Sequence, residues 1–413
     1  MTQDLALFGG VPVRKKPFPV WPRYTHAIRH SVEQTLAEDQ WGIGSQTIER
    51  FEKAFARFQD ADHCLAINSG TSALWVALKA AGVQAGDEVI IPPYTFIATG
   101  AAVLMANAVP VFVDVEEDTF NLDPGLLEAA ITDKTRAIVP VHIGGNPAHL
   151  DRILAVAEKH GLPVVEDAAQ AHGAEWKGTR VGALGIGGIF SFQSSKNMSA
   201  GEGGAIVSND AAFMDACYSY YNCGRVPGGD WYEHHRLGGN FRMTSVAAAM
   251  LLPQLETIEQ EMALREQHRA RLDAWVESLP GLSPLRTYPE VTRSANHLYL
   301  FRYHSDQFQG IPRDVFLRAM QAEGIFTYVG YTPLYRERLF IVNTREYPWL
   351  KGRHYSNVQL PVCERIATEE AVWLKQNVLL GSEEDVRDIQ RALEKVTTAM
   401  RSDPGRFLSL TEA

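Results

Sequence analysis

Cysteine is scarce in this chain: its 413 residues include four, Cys64, Cys217, Cys223 and Cys363, with no Cys-x-x-Cys pair and no regular spacing. That excludes a disulfide scaffold and suits reduced thiols in the cytosol. No apolar run approaches the roughly 20 residues of a membrane span, and Met1 to Phe8 has no basic segment ahead of an apolar core. A cytoplasmic location is therefore the expectation, with no membrane partner. Polybasic stretches are missing too. With 39 Lys and Arg against 49 Asp and Glu the net charge is −10, which argues against binding nucleic acid. No Gly-x-Gly-x-x-Gly follows a strand, and no Gly-x-x-x-x-Gly-Lys, His-Glu-x-x-His or Gly-x-Ser-x-Gly occurs. Dehydrogenase, NTPase, zinc-hydrolase and serine-hydrolase readings weaken accordingly. Glu233-His234-His235 reads as a solvated loop, because adjacent side chains do not converge easily on a metal, and the acidic run Asp114, Glu116, Glu117 and Asp118 reads as a solvated strand end. No metal is expected.

What is present is a long chain, 46% hydrophobic, enough for two domains. Residues 1–25 read as an irregular arm with Pro12, Pro17, Pro19 and Pro22, residues 26–250 as a large domain and residues 251–413 as a smaller one. Apolar runs at Cys64–Ile67, Glu88–Ile91, Val109–Val113, Ala137–Val141, Pro163–Glu166, Ile189–Phe192 and Ala205–Ser208 predict strands covered on both faces. Helices are expected between them, one opened by Asp123-Pro124 and one from Leu150 to His160, stopped by Gly161. From Thr244 a helical pattern runs to Leu279 and kinks at Pro253. Beyond it come a strand (His297–Tyr303), a helix (Arg313–Glu323), a loop region (Gly330–His354), a strand (Val372–Leu380) and an amphipathic helix from Glu383.

Three segments carry the chemistry. Lys196 follows the apolar Phe190-Ser191-Phe192 and precedes the small-residue turn Ser199-Ala200-Gly201-Glu202-Gly203-Gly204. Such surroundings desolvate an ammonium and favour a nucleophilic amine able to form a Schiff base; taken alone, the segment reads first as a solvated lysine beside a turn. Asp167 closes the run Pro163-Val164-Val165-Glu166, at the strand end where open α/β sheets present ligand-binding groups. Ser69-Gly70-Thr71-Ser72 opens a helix, where free N–H groups, hydroxyls and the positive dipole end suit a phosphate. A phosphate cup, an acid for a ring nitrogen and a Schiff-base lysine are the parts pyridoxal phosphate needs.

With Pro93-Tyr94-Thr95-Phe96-Ile97-Ala98-Thr99, Glu166 through Gly173, Ser191 through Gly204 and Gly239-Asn240-Phe241-Arg242-Met243, the chain resembles the DegT/StrS-type sugar aminotransferases, fold-type I pyridoxal phosphate enzymes. The resemblance implies an α/β fold with a mostly parallel seven-stranded sheet between helices and a smaller C-terminal α/β domain. It implies catalytic roles for Lys196 and Asp167, with Phe96 stacking on the ring and Gln170 near the ring hydroxyl. Gly70, Thr71, Ser72 and Ser191 match the phosphate site, and Asn240 matches a ligand supplied by the partner of a homodimer with shared active sites. Read alone, Phe96 is core packing. Glu202 and His172 match recurrent positions whose roles the spacing does not give.

The implied reaction moves an amino group from glutamate or glutamine to the ketone of a keto-sugar or keto-cyclitol. Dehydratases of the family carry histidine in place of the lysine, so Lys196 favours amino transfer. Many nucleotide-sugar members carry a Tyr-Pro-x-Pro-Leu-His type loop, whereas this chain has Gly330-Tyr331-Thr332-Pro333-Leu334-Tyr335-Arg336. Together with Asn222-Cys223-Gly224-Arg225, Pro19-Val20-Trp21-Pro22 and Val372 to Leu380, that loop looks more like the inosose aminotransferase and aminohydroxybenzoate synthase branch. Tyr331, Tyr335 and Arg225 are the candidate substrate residues, and Arg225, Arg236 and Arg242 are the alternative acceptors of a diphosphate. An aromatising lyase and a non-catalytic regulator on the same scaffold remain as other readings.

Overall fold

The computed structural model describes residues 4–341 and 345–410. Seven strands, β1 (His63–Ile67), β2 (Glu88–Ile91), β3 (Val109–Phe112), β4 (Thr135–Ile138), β5 (Val165–Asp167), β6 (Gly187–Ser191) and β7 (Gly204–Ser208), match the seven expected runs. Their order is β1-β7-β6-β5-β4-β2-β3, the two halves joined by parallel bridges from Ile138 to Val164 and from Val141 to Asp167. Only β7 runs against its neighbours. Val89, Ile90, Ile91, Val165, Ile189 and Ile206 are fully buried, as a sheet covered on both faces requires.

Helix Gly70–Ala80 starts where the Ser69 hydroxyl accepts the Ser72 N–H, and it buries Leu74, Ala77 and Leu78 at helical spacing. Leu150–His160 ends at Gly161 with φ +64, and Asp123 caps only a short turn, Pro124–Leu126, followed by Leu127–Ala130. The long pattern after Thr244 is two helices, Ser245–Leu255 and Ile258–Ser278. Pro253 supplies no N–H, and Glu256 and Thr257 turn back onto Pro253 and Gln254, so the expected kink is a break.

A second sheet, β8 (Leu282–Pro284), β9 (Leu298–Tyr303) and β10 (Ala371–Lys375), is antiparallel in that order. It packs with Leu272 and Val276 of the long helix, Phe316 of Arg313–Ala322, and Ile389 and Leu393 of Glu383–Ser402. The strand expected at Val372–Leu380 stops at Lys375, because the next residues bond elsewhere: Gln376 to Arg265, Asn377 to the Pro19 carbonyl, and the Leu379 carbonyl to His268. The loop expected at Gly330–His354 holds only short turns; its residues 342–344 lie outside the described residues. The arm is irregular yet anchored, with Leu5 in this core and Arg14 paired to Asp385 (2.7 Å) and Asp388 (2.8 Å). The acidic run is not a solvated end: Asp114 is buried and accepts the N–H groups of Val362 and Cys363, while Glu117 and Asp118 pair with Arg302.

Candidate active site

Two adjacent carboxylates end β5, and their surroundings separate their roles. Glu166 is saturated: it accepts the backbone N–H groups of Gly182, Leu184 and Gly185 at 2.8 Å each and the His142 Nε2 proton at 3.1 Å. That proton sits on Nε2 because Nδ1 accepts the Ala148 N–H. Asp167 has less. Oδ2 accepts the Thr99 hydroxyl at 2.8 Å and Oδ1 the Ala169 N–H at 3.2 Å. Burial raises its pKa, opposed by those two bonds and by Lys196. A cationic N–H partner is the group this carboxyl lacks.

Lys196 follows β6 in a turn closed by its own N–H to the Gln193 carbonyl at 2.9 Å. Burial lowers its amine to about 8, with Asp167 pulling the other way. A sizeable neutral fraction therefore exists at neutral pH, which an ordinary lysine lacks. His172 packs against Phe55, Phe190 and Phe192, with the Ser191 backbone as its one polar neighbour among the described residues, and burial takes it down to about 3. Glu202 is exposed.

At the helix start, the Ser69 hydroxyl bridges the Ser72 N–H (3.1 Å) and hydroxyl (3.0 Å), leaving the N–H groups of Gly70 and Thr71 without acceptors among the described residues. A Cβ on Gly70 would lie 2.9 Å from Ser191 Cβ, so glycine lets β6 bring Ser191 against the cup. Phe96 precedes helix Ile97–Met105 with its ring 55% exposed and 6.4 Å from the Tyr331 ring. It is not core. Gln170 spends both ends of its amide: Oε1 accepts the Gly144 N–H at 2.7 Å and Nε2 donates to the Tyr331 hydroxyl at 3.0 Å. Tyr331 therefore joins the group around Asp167, its ring edge-on to Trp373 at 4.5 Å.

Tyr335 does not join it. The turn Leu334–Arg336 points its ring into the core beside Phe112, leaving it 2% exposed with its hydroxyl donating to Glu364. Arg225 lies in the loop after Asn222, where its Nε donates to the Trp231 carbonyl at 3.0 Å. Arg242 donates to Asn222 Oδ1 at 2.8 Å, and Arg236 lies over Tyr220. In the same loop His234 contacts the Cys223 carbonyl and His235 contacts Glu233, and no described group of three His, Cys, Asp or Glu is placed to hold a metal. Asn240 is exposed, and the next residue, Phe241, accepts the Asn68 N–H beside the cup. Thr99 was missed as a functional residue; its signal is its place three residues after Phe96, one helical turn from the exposed ring.

A profile of the DegT/DnrJ/EryC1/StrS aminotransferase family matches residues 22–393. The chain belongs to this family. It is 41% identical, over 96% of its length and 98% of the relative's, to a Streptoalloteichus tenebrarius protein provisionally named L-glutamine:3-amino-2,3-dideoxy-scyllo-inosose aminotransferase. It is 38% identical, with 96% and 98% covered, to L-glutamine:2-deoxy-scyllo-inosose aminotransferase of Streptomyces lividus. Among solved structures it resembles 3-amino-5-hydroxybenzoic acid synthase, with TM-score 0.83 and 30% identity over 93% of this chain and 100% of that one. No described helix is long and apolar enough to cross a membrane.

Proposed function

We propose that this member of the family uses pyridoxal phosphate to move the amino group of glutamine onto the ketone of a scyllo-inosose-like cyclitol. The observation that carries the reading is a lysine amine lowered to about 8 facing a buried carboxyl that holds only two hydrogen bonds. The residues fit the cofactor: two N–H groups without acceptors and the hydroxyls of Thr71, Ser72 and Ser191 suit its phosphate, and Asp167 suits its ring nitrogen. The exposed face of Phe96 suits stacking on its ring. Pyridoxal phosphate, when bound, supplies a carbonyl for the amino group and a ring that accepts electrons.

The chain's own groups do the rest. Lys196 attaches the cofactor through its neutral amine, then takes and returns a proton at its Nζ. Asp167, oriented by the Thr99 hydroxyl, keeps a negative charge opposite the ring nitrogen, while Gln170 steadies the Tyr331 hydroxyl near the ring. Asn240 reaches the phosphate of a second copy in a homodimer, a reading supported by Trp231, Tyr232 and Leu237 of its loop, which are 78%, 78% and 92% exposed. The division into an arm, a large domain and a small domain is part of the same proposal.

The donor and acceptor rest on the names of the relatives. A neutral acceptor is further supported by the bonds that Arg225 and Arg242 make within their own segment, which leaves the exposed Arg236, over the Tyr220 ring, as the first arginine to test for a diphosphate. Tyr331 is the remaining candidate for the acceptor's hydroxyls. The likeness to 3-amino-5-hydroxybenzoic acid synthase keeps the aromatising reading as second, distinguished by an ultraviolet-absorbing product. The test is a half-reaction screen of the loaded enzyme with glutamine, glutamate and alanine, then with inososes and nucleotide-linked keto-sugars. Amination of an inosose from glutamine is expected; exclusive use of a nucleotide-linked ketone overturns the acceptor, and no amino transfer from any donor overturns the function.

A further inference from the structure

The stretch Pro19-Val20-Trp21-Pro22 has no part in the chemistry above, yet it touches the reactive residue. The Trp21 indole N–H donates to the Lys196 carbonyl at 2.9 Å. The following residue is held by a segment about a hundred residues further along the chain. Asn197 Nδ2 donates to the Ala295 carbonyl at 2.7 Å, and Asn197 Oδ1 lies 3.1 Å from His297 Nδ1. With its nitrogen used on Ala295, the amide offers its oxygen, so His297 donates from Nδ1.

The arm is itself braced. The Arg265 guanidinium lies 5.6 Å from the Trp21 ring centroid, and its Nε and Nη2 both donate to Gln376 Oε1. Asn377, the next residue, donates to the Pro19 carbonyl at 2.7 Å. Gln376 and Asn377 thus tie the cation beneath the indole and the arm that carries it to one segment. Lys196 needs this support because a four-carbon side chain in a turn of small residues has large rotamer freedom. Where its backbone is fixed decides where its amine swings.

We propose that Trp21 and His297 are positioning residues for Lys196, closing a clamp on two successive residues from two segments distant in the sequence, one before Lys196 and one after it. The proposal rests on the reading of Lys196 as the residue that attaches the cofactor. The charged and titratable groups facing the lysine are Asp167 from β5, His172 after it, His297 before β9 and, beyond the two imidazoles, Arg265. Burial keeps both imidazoles neutral, so Asp167 is the opposing charge.

Trp21→Phe keeps an aromatic ring beside Arg265 and removes the donor together with the pyrrole half of the indole. In the full chain two quantities are read: the pH profile of pyridoxal phosphate capture by the cofactor-free protein, and kcat and KM for glutamine in the loaded enzyme. The parent's capture midpoint is expected near 8, following the amine. In Trp21→Phe the looser turn admits water, the midpoint moves up, and kcat falls by roughly 2- to 10-fold, the scale of one hydrogen bond. KM and melting temperature stay close to the parent's, a split that a general loss of packing does not give. His297→Leu removes the donor of the other jaw and is expected to move the same readouts in the same direction, which covers a Trp21→Phe chain that does not fold. Capture by the parent that disappears in Lys196→Ala upholds the underlying reading. If that holds while Trp21→Phe and His297→Leu match the parent in midpoint and kcat, the clamp is wrong; a parent that captures no cofactor overturns both.

Discussion

The carboxyl end of the large sheet and the loop from Asn222 to Asn240 both carry candidate site residues, and they are built in different ways. At the sheet end, Asp167, Thr99 and Gln170 are buried and bonded to other parts of the same chain. In the loop, bonds are mostly local, as between Arg225 and Trp231, and three large apolar side chains face outward. The first region is tied together by bonds within the chain, and the second has the composition of a surface awaiting a second copy. The proposal gives the proton chemistry to the first region, and to the second both assembly and, through Asn240, a share of the phosphate site.

The sharpest break in that comparison comes at Lys196. Lys196→Ala removes the attachment point and the proton carrier together, and acid–base catalysis alone is worth roughly 10²–10⁴-fold. Amino transfer is expected to vanish while melting temperature and dimer mass stay near the parent's. Turnover close to normal without added amine contradicts the assignment.

Asp167→Asn tests the same region more gently. The shape and the Thr99 contact persist while the charge opposite the ring nitrogen is lost, so both half-reactions should slow by on the order of 10²-fold, the scale of one preorganised electrostatic partner. Saturating cofactor should not restore the rate. The pH sign is also fixed. Burial raises Asp167 above its unfolded value, so the folded cofactor-free chain holds this proton longer, and the group's contribution to stability is lost as pH rises through the folded pKa. Melting of the cofactor-free parent should show that decline and Asp167→Asn should not; equal slopes count against the burial argument.

The loop is tested by mixing Lys196→Ala with Asn240→Ala. If Asn240 serves the neighbour, each mixed dimer has one intact site, and free exchange should restore roughly a quarter of parental sites. If Asn240 serves its own chain, mixing restores nothing. Subunit exchange is followed independently by native mass.

The sheet end was also the legible region. Continuous apolar runs announced all seven strands because both faces are buried, and Asp167, Lys196 and the Gly70 turn stood out because each lies in the polar or small-residue segment where such a run ends. Side-chain partners were less visible. Thr99 and the His297–Asn197 pair are long-range contacts that no local spacing encodes. The strand assigned to Val372–Leu380 ran too far for a similar reason: hydrophobicity continued, but past Lys375 the Gln376 and Asn377 side chains and the Leu379 carbonyl bond to Arg265, Pro19 and His268.

The smallest expected effect separates two tyrosines four residues apart, Tyr331 and Tyr335. Both burials look alike by composition, and both phenols are pushed above their ordinary range by desolvation. Their hydroxyls face different partners, Gln170 beside the proposed ring site and Glu364 away from it. Tyr331→Phe leaves Gln170 Nε2 without its acceptor, a loss of about 1–3 kcal/mol that falls on the active site, and kcat/KM for the ketone should drop by about 5- to 100-fold. Tyr335→Phe removes a bond from Glu364, which keeps its Arg336 partner at 2.5 Å, so activity should stay within about twofold and stability should fall by no more than about 1 kcal/mol. Steady-state kinetics with the same ketone decide between them. Equal losses in the two variants would place the acceptor between both rings and return Tyr335 to the site.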